Sequence, residues 1–264
     1  MIVAVDSHMH GDILIQKDKN FPTLYYEKKI SGIIWSYNEE IKKIEDYIDY
    51  WNFLKNVTYK ISNNSCPFFY KIGIHPRTIC EELKEKRSFP DKIKKALEQH
   101  LKDKRCLGIG EIGLETEDKT EEEIFISHLK WCENYLPYDK RIGIHTPRKN
   151  KKAITKKIID ILSNFKSLLF QVIIDHVELN TIDLVKELNT YIGMTLQIGK
   201  SKGSDIKKLV SDDLYPVDKI LLNSDSAREI STPYIDFIKN DLLEKNIKEK
   251  LIKENAIQFY DIKI

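Results

Sequence analysis

The sequence contains no apolar run near the roughly 18–20 residues that a membrane-crossing helix needs. It also lacks the basic start, apolar stretch and cleavage site of a secretory leader, because "MIVAVDSHMH" turns polar at once. A cytoplasmic location without a membrane partner is therefore the expectation. Cysteine is scarce. There are four, Cys66, Cys80, Cys106 and Cys132, and no two form a C-x-x-C pair. Free thiols are expected, not a disulfide framework or a cysteine-held metal. No sign of charge dominates: 43 basic residues stand against 41 acidic ones, a net of +2. Global charge thus selects no class of partner. No Pro/Gly/Ser linker, low-complexity tract or clear repeat interrupts the chain. With 264 residues, 41% hydrophobic and 32% charged, a single folded domain over 1–264 with a real core is expected.

What is present is an alternation. Short, mostly apolar runs recur: Ile2–His8, Gly32–Tyr37, Tyr70–His75, Cys106–Glu111, Arg141–His145, Gln171–His176, Tyr191–Leu196 and Lys219–Asp225. Runs of this kind are what parallel strands look like when both faces are covered. Amphipathic stretches lie between them. Glu39–Leu54 carries Ile41, Ile44, Ile48 and Trp51 at spacings of three and four. Pro90–Leu101, Glu121–Tyr135, Lys152–Leu162, Ile182–Leu188 and Lys239–Asn255 read similarly. About eight strand–helix units in this length predict an α/β fold, a (β/α)8 TIM barrel with parallel strands.

The strand ends carry the chemistry. Six of the eight runs close on or beside His8 and His10, His75, Glu111, His145, His176 or Asp225. In a barrel all those ends meet at the C-terminal rim. His8 and His10, two apart on a strand, point the same way and can converge on one cation. Asp6 precedes them. Donors of this type without cysteine suit zinc, manganese, magnesium, iron or nickel. Glu111, from a middle strand, is the obvious bridge between two divalent ions. Such a pair supplies a nucleophile at neutral pH and neutralises the attacking and leaving oxygens of an ester. Asp225 can hold metal and accept the proton from water. His100 and His128 sit within helical stretches and read as surface or packing residues.

"LGIGEIGLE" also spells G-x-G-x-x-G through Gly108, Gly110 and Gly113. A dinucleotide loop would run directly into a helix whose N-terminus takes the pyrophosphate. Here the strongly acidic "LETEDKTEEE" follows, which repels phosphate, so a carboxylate-bearing strand is the better reading. Gly108 and Gly110 then leave room for neighbours, Gly113 turns the chain after the strand, and Glu115 supports Glu111. A basic cluster, "HTPRKNKKAITKK", follows His145. Lys156 and Lys157 read as a solvated face, whereas Arg148, and Arg77 in "GIHPRT", are candidates for binding an anionic phosphate. No aromatic residues interleave with the cluster, so it is not a stacking platform for single strands.

"VDSHMHGD", "GIHP", "GIGEIGLE", "IHTPR", "IDH" and "NSDS" stand in the order found in the TatD family of metal-dependent hydrolases. The chain resembles that family, a TIM-barrel branch of the amidohydrolase superfamily, over essentially its whole length. The resemblance implies that His8, His10, Glu111, His145, His176 and Asp225 are metal ligands and that Asp225 is also the catalytic acid/base. It implies that His75 contacts the scissile phosphate, and that the activity is a divalent-metal-dependent phosphodiesterase, typically a 3′-to-5′ deoxyribonuclease acting on DNA. Two departures mark a divergent branch. "VEL" follows His176 in place of a cysteine-aromatic-x-glycine run, and Asn223 stands where glutamate commonly precedes the last aspartate. These leave open hydrolysis of a small ester, lactone or amide, or a role as a barrel subunit with a protein partner in a larger complex.

Overall fold

The computed structural model describes residues 1–264. Eight parallel strands follow one another in chain order around a barrel. They are β1 (Ala4–Met9), β2 (Ile30–Ile34), β3 (Phe68–Ile72), β4 (Cys106–Gly113), β5 (Arg141–His145), β6 (Val172–Ile174), β7 (Tyr191–Thr195) and β8 (Ile220–Asn223). Hydrogen bonds from Ser7 Oγ to the Leu222 carbonyl, 2.9 Å, and from the Asp225 N–H to the His8 carbonyl, 3.0 Å, close β8 onto β1. Every strand predicted from the sequence is present, because each couples β-branched residues to burial on both faces. No helix is long and apolar enough to cross a membrane.

The helical ring departs from the sequence reading in places. The helix expected over Glu39–Leu54 spans Ile44–Ile61. Asp46 moves its start, since its carboxylate accepts from the Lys42 and Lys43 N–H groups at 2.9 and 3.1 Å and caps the helix there. The helix expected over Lys239–Asn255 is displaced: Lys239 is the last residue of a separate helix, Thr232–Lys239, and the next helical run starts at Lys245 and continues to Tyr260. Gly113 does not turn the chain. It lies inside β4 with φ +146°, and a Cβ there would sit 2.5 Å from the His145 carbonyl oxygen. The glycine is needed for close approach of β5.

His100 and His128 pack between the helices and the barrel. His128 Nδ1 donates to the Ile124 carbonyl at 2.9 Å, and its Nε2 accepts from the Ile74 N–H at 3.2 Å. Burial pushes His128 down to about 3 and, with Lys55 nearby, His100 down to about 4. Both are neutral in the fold, whereas an unfolded imidazole titrates near 6.5. Between those values the unfolded chain binds more protons. The stabilisation is therefore complete above about pH 6.5 and is lost as pH falls below it. The stability of the wild type relative to His128→Gln is expected to drop by on the order of 2 kcal/mol between pH 7 and pH 5. Urea unfolding of both proteins at the two pH values measures this, and an unchanged difference would contradict it.

Candidate metal centre

The strand ends deliver their side chains to one buried point at the rim. Glu111, 2% exposed, is its hub. Its Oε1 lies 2.6 Å from His145 Nδ1 and 3.2 Å from His176 Nε2. Its Oε2 lies 3.5 Å from His8 Nε2, 3.7 Å from His75 Nε2 and 3.9 Å from His10 Nε2. Asp225 closes the ring, with Oδ1 at 3.2 Å from His10 Nε2 and 3.8 Å from His8 Nε2. All six residues expected to hold metal, and His75, thus come together. Three sets of donors lie within 4.8 Å of one another: His8, Glu111 and His176; His8, His10 and Asp225; His75, Glu111 and His145. His176 and Asp225 hold φ of 56° and 48°, left-handed conformations that non-glycine residues seldom adopt. Such strain, on the order of 1 kcal/mol or more, persists where the surroundings over-determine a functional geometry.

The hydrogen-bond partners separate the histidines by role. His10 Nδ1 faces the Trp35 carbonyl at 3.1 Å and must donate to it, which leaves a lone pair on Nε2. His8 Nδ1 is held by the Asp175 carboxylate, and its Nε2 is buried without a hydrogen-bond partner. An orphaned buried nitrogen aimed at a carboxylate hub fits a divalent cation, as does a donor set of imidazoles and carboxylates. His75 is arranged the other way round. Its Nδ1 accepts from the Arg77 N–H at 3.1 Å, so the neutral ring carries its proton on Nε2, toward the cavity. Burial holds His75 well below the usual imidazole range, so it is neutral. It is a hydrogen-bond donor to the site.

Charge is balanced by position. Burial disfavours the His8 imidazolium, but Glu111 and Asp175 outweigh it and push His8 up to about 10. Burial would likewise raise Glu111 and Asp225. The His8 and His145 imidazoliums hold Glu111 well below the carboxylate range, and the Lys200 ammonium does the same for Asp225. Burial, with Lys200 beside it, lowers His176 to about 4. Beneath the centre the Trp35 indole stacks on His8 at 4.2 Å between ring centroids. On its other side lies Lys71 Nζ, 4.1 Å from the Trp35 ring centroid and fully buried.

A cavity of about 560 Å3 opens over these residues, lined among others by Tyr37, His75, Arg77, Arg148, Lys200 and Arg228. Both substrate-binding candidates therefore reach it. Arg77 Nε pairs with Glu115 Oε2 at 3.0 Å, and Glu115 in turn bonds His145 Nε2 at 2.7 Å, which is the support expected of Glu115. Arg148 Nη2 donates to Gln197 Oε1 at 3.1 Å. Two lysines of the basic cluster are engaged within the fold instead. Lys151 is buried against the Pro147 carbonyl, 3.1 Å, and Glu178, 3.5 Å, and Lys157 pairs with Glu122 at 2.7 Å.

Sequence reasoning missed three participants. Asp175 directly precedes His176, and the strand-end argument that selected His176 applies to it as well. Trp35 closes the "GIIW" run and carried no motif. Lys200 sits in the β7 loop without any motif, yet its Nζ pairs with Asp225 Oδ2 and lies 3.2 Å from His176 Nδ1.

Comparison with known proteins agrees with this geometry. The family described as TatD related DNase matches residues 5–254. An uncharacterized metal-dependent hydrolase of Methanocaldococcus jannaschii is 29% identical over 197 residues, covering 73% of this chain and 72% of the relative. Among solved structures, the TatD-like protein of Archaeoglobus fulgidus is similar at a TM-score of 0.74 and 25% identity, covering 98% of this chain and all of that one. A dihydroxybenzoic acid decarboxylase from Polaromonas with bound manganese shares the fold at a TM-score of 0.64 and 13% identity, over 99% of this chain and 97% of its own. A family match that spans nearly every strand and the whole ring of strand-end donors leads to one assignment: this chain belongs to the TatD related DNase family.

Proposed function

We propose that the protein is a metal-dependent hydrolase of phosphodiesters, acting on DNA from the 3′ end. The observation that carries this reading is the unpartnered, buried His8 Nε2 facing Glu111, within a ring of five histidines and two carboxylates. His8, His10, Glu111, His145, His176 and Asp225 would hold the ions, with Glu111 shared between them. Divalent cations there would supply Lewis acidity to a phosphoryl oxygen and make water a better acid. The chain's own groups account for the rest. Asp225, ionised and at the cavity wall, accepts the proton of the attacking water. His75 donates its Nε2–H to a non-bridging oxygen, and Arg148 and Arg77 oppose the phosphate charge.

A second reading has one observation in its favour. A cleft of about 890 Å3 adjoins the site and shares Tyr37, Glu39 and Arg228 with it, and its walls include Asp12, Glu40, Asp46 and Asp49. A phosphate backbone is repelled there, so a strand must approach past Arg148. A small ester or amide meets no such restriction. Single-stranded DNA labelled at its 3′ end, supplied with magnesium, manganese or zinc, is expected to release mononucleotides with the wild type and not with His8→Ala. No release with any metal, and indistinguishable behaviour of the two proteins, would remove the nuclease reading. Turnover of small esters alone would favour the second.

A further inference from the structure

Beneath the centre, Asp175, Asn223 and Thr195 form a line of hydrogen bonds that joins His8 to His176. Asn223 Nδ2 donates to Asp175 Oδ1 at 2.7 Å, and Thr195 Oγ1 donates to Asn223 Oδ1 at 2.9 Å. Asp175 Oδ2 holds His8 Nδ1. Thr195 Oγ1 stands 2.8 Å from His176 Nδ1. All five residues are buried. Gly193 leaves the space this line occupies: a Cβ there would lie 2.0 Å from Asp175 Oδ1 and 3.2 Å from Asn223 Nδ2.

Donor inventory makes the line directional. An ionised carboxylate only accepts, so Asn223 must turn its NH2 to Asp175 and its oxygen to Thr195. The single Thr195 hydroxyl proton then goes to Asn223, and Thr195 can only accept from His176. Thr195 Oγ1 thus competes with Glu111 Oε1, 3.2 Å from Nε2, for the single proton of the neutral His176 ring, and a proton held on Nδ1 leaves the Nε2 lone pair free. With Nδ1 protonated, the nearby Lys200 donates to Asp225 alone. A carboxylate at position 223 would oppose Asp175 and could not transmit this order.

We propose that Asn223 is a positioning residue that sets the tautomer of His176 and orients His8 through Asp175, so that both aim an unprotonated Nε2 at Glu111 when metal is bound. This rests on the reading of His8 and His176 as metal-holding residues. The test uses the metal-free full chain with 15N-labelled histidine. The wild-type spectrum is expected to show His176 as the Nδ1–H tautomer. Asn223→Leu frees the Thr195 proton to point at His176 Nδ1, and Thr195→Val removes the acceptor. Either is expected to move the His176 proton to Nε2, where Glu111 accepts it, and to weaken zinc binding about 10- to 100-fold. The double variant is expected to add little to either single one. Should Asn223→Leu not fold, Thr195→Val decides. A wild-type His176 protonated on Nε2 overturns the proposal, as does a folded Thr195→Val with an unchanged tautomer and zinc affinity within twofold of wild type. A wild type that binds no zinc, but whose His176 tautomer shifts as stated in the variants, supports the network and removes the metal reading instead.

Discussion

Asp225→Asn is expected to lower the turnover of a phosphodiester about 10^3-fold or more, the usual weight of a general base in proton transfer. The substitution removes a carboxylate that meets several partners at once: His10 at 3.2 Å, His8 at 3.8 Å and the Lys200 ammonium. Asparagine keeps an oxygen for a cation but cannot accept the proton of water. Metal content is therefore expected to fall less than turnover does. At 10^3-fold, the lost transition-state stabilisation is about 4 kcal/mol. Steady-state kinetics on bis(p-nitrophenyl) phosphate, with elemental analysis of the same preparations, checks both halves. Turnover within tenfold of wild type at full metal content would take the proton-accepting role away from Asp225.

Glu111→Gln is expected to reduce hydrolysis to background and to remove at least one bound cation. The reason is placement. Five imidazole nitrogens lie within 3.9 Å of the two oxygens of this single carboxylate. An amide is neutral, and its NH2 would present protons to whichever imidazole lone pairs it faces. Cations held between those imidazoles would lose their shared anion. Elemental analysis after dialysis against zinc gives the stoichiometry, and full retention of metal would exclude Glu111 as the shared ligand. Glu115→Gln provides the contrast. It reaches the centre only through His145 Nε2, at 2.7 Å, so a loss of about 10- to 100-fold in metal affinity is expected of it.

The two outcomes depend on different parts of the centre. Asp225 acts at the cavity wall and faces the site with one oxygen while Lys200 holds the other. Glu111 lies at the bottom and organises the whole ring. Parallel loss of metal and turnover in Glu111→Gln, set against separated losses in Asp225→Asn, would distinguish a structural anion from a proton acceptor at one site.

The barrel and its ring of donors were readable along the chain because both are written in local pattern. Short β-branched runs ending on histidine or a carboxylate need no distant partner to be recognised, and a parallel barrel brings such ends to one rim by construction. That reasoning found His8, His10, His75, Glu111, His145, His176 and Asp225, and all of them meet. It also kept "GIGEIG" from being read as a phosphate loop. It did not reveal which histidines offer a lone pair and which a proton, because that depends on what faces the far nitrogen: a carbonyl of Trp35 for His10, a main-chain N–H of Arg77 for His75. Nor did it reveal Lys200, whose flanking sequence is an unremarkable loop. In the basic run after His145 only Arg148 read as a phosphate contact and Lys157 as part of a solvated face, and the sequence did not reveal that Lys151 and Lys157 turn to Glu178 and Glu122, residues on other elements.

Asn223 shows the division within one residue. Along the chain it is a departure from a familiar pattern that leaves the donors intact. In the fold it is the amide between Asp175 and Thr195, with Gly193 making room for it. Residue type and spacing specify architecture and donor identity, since these follow from local geometry and periodicity. Proton positions, charge pairing and the separation of ligand from hydrogen-bond donor arise only when distant strands pack, since each depends on a neighbour that chain order does not reveal.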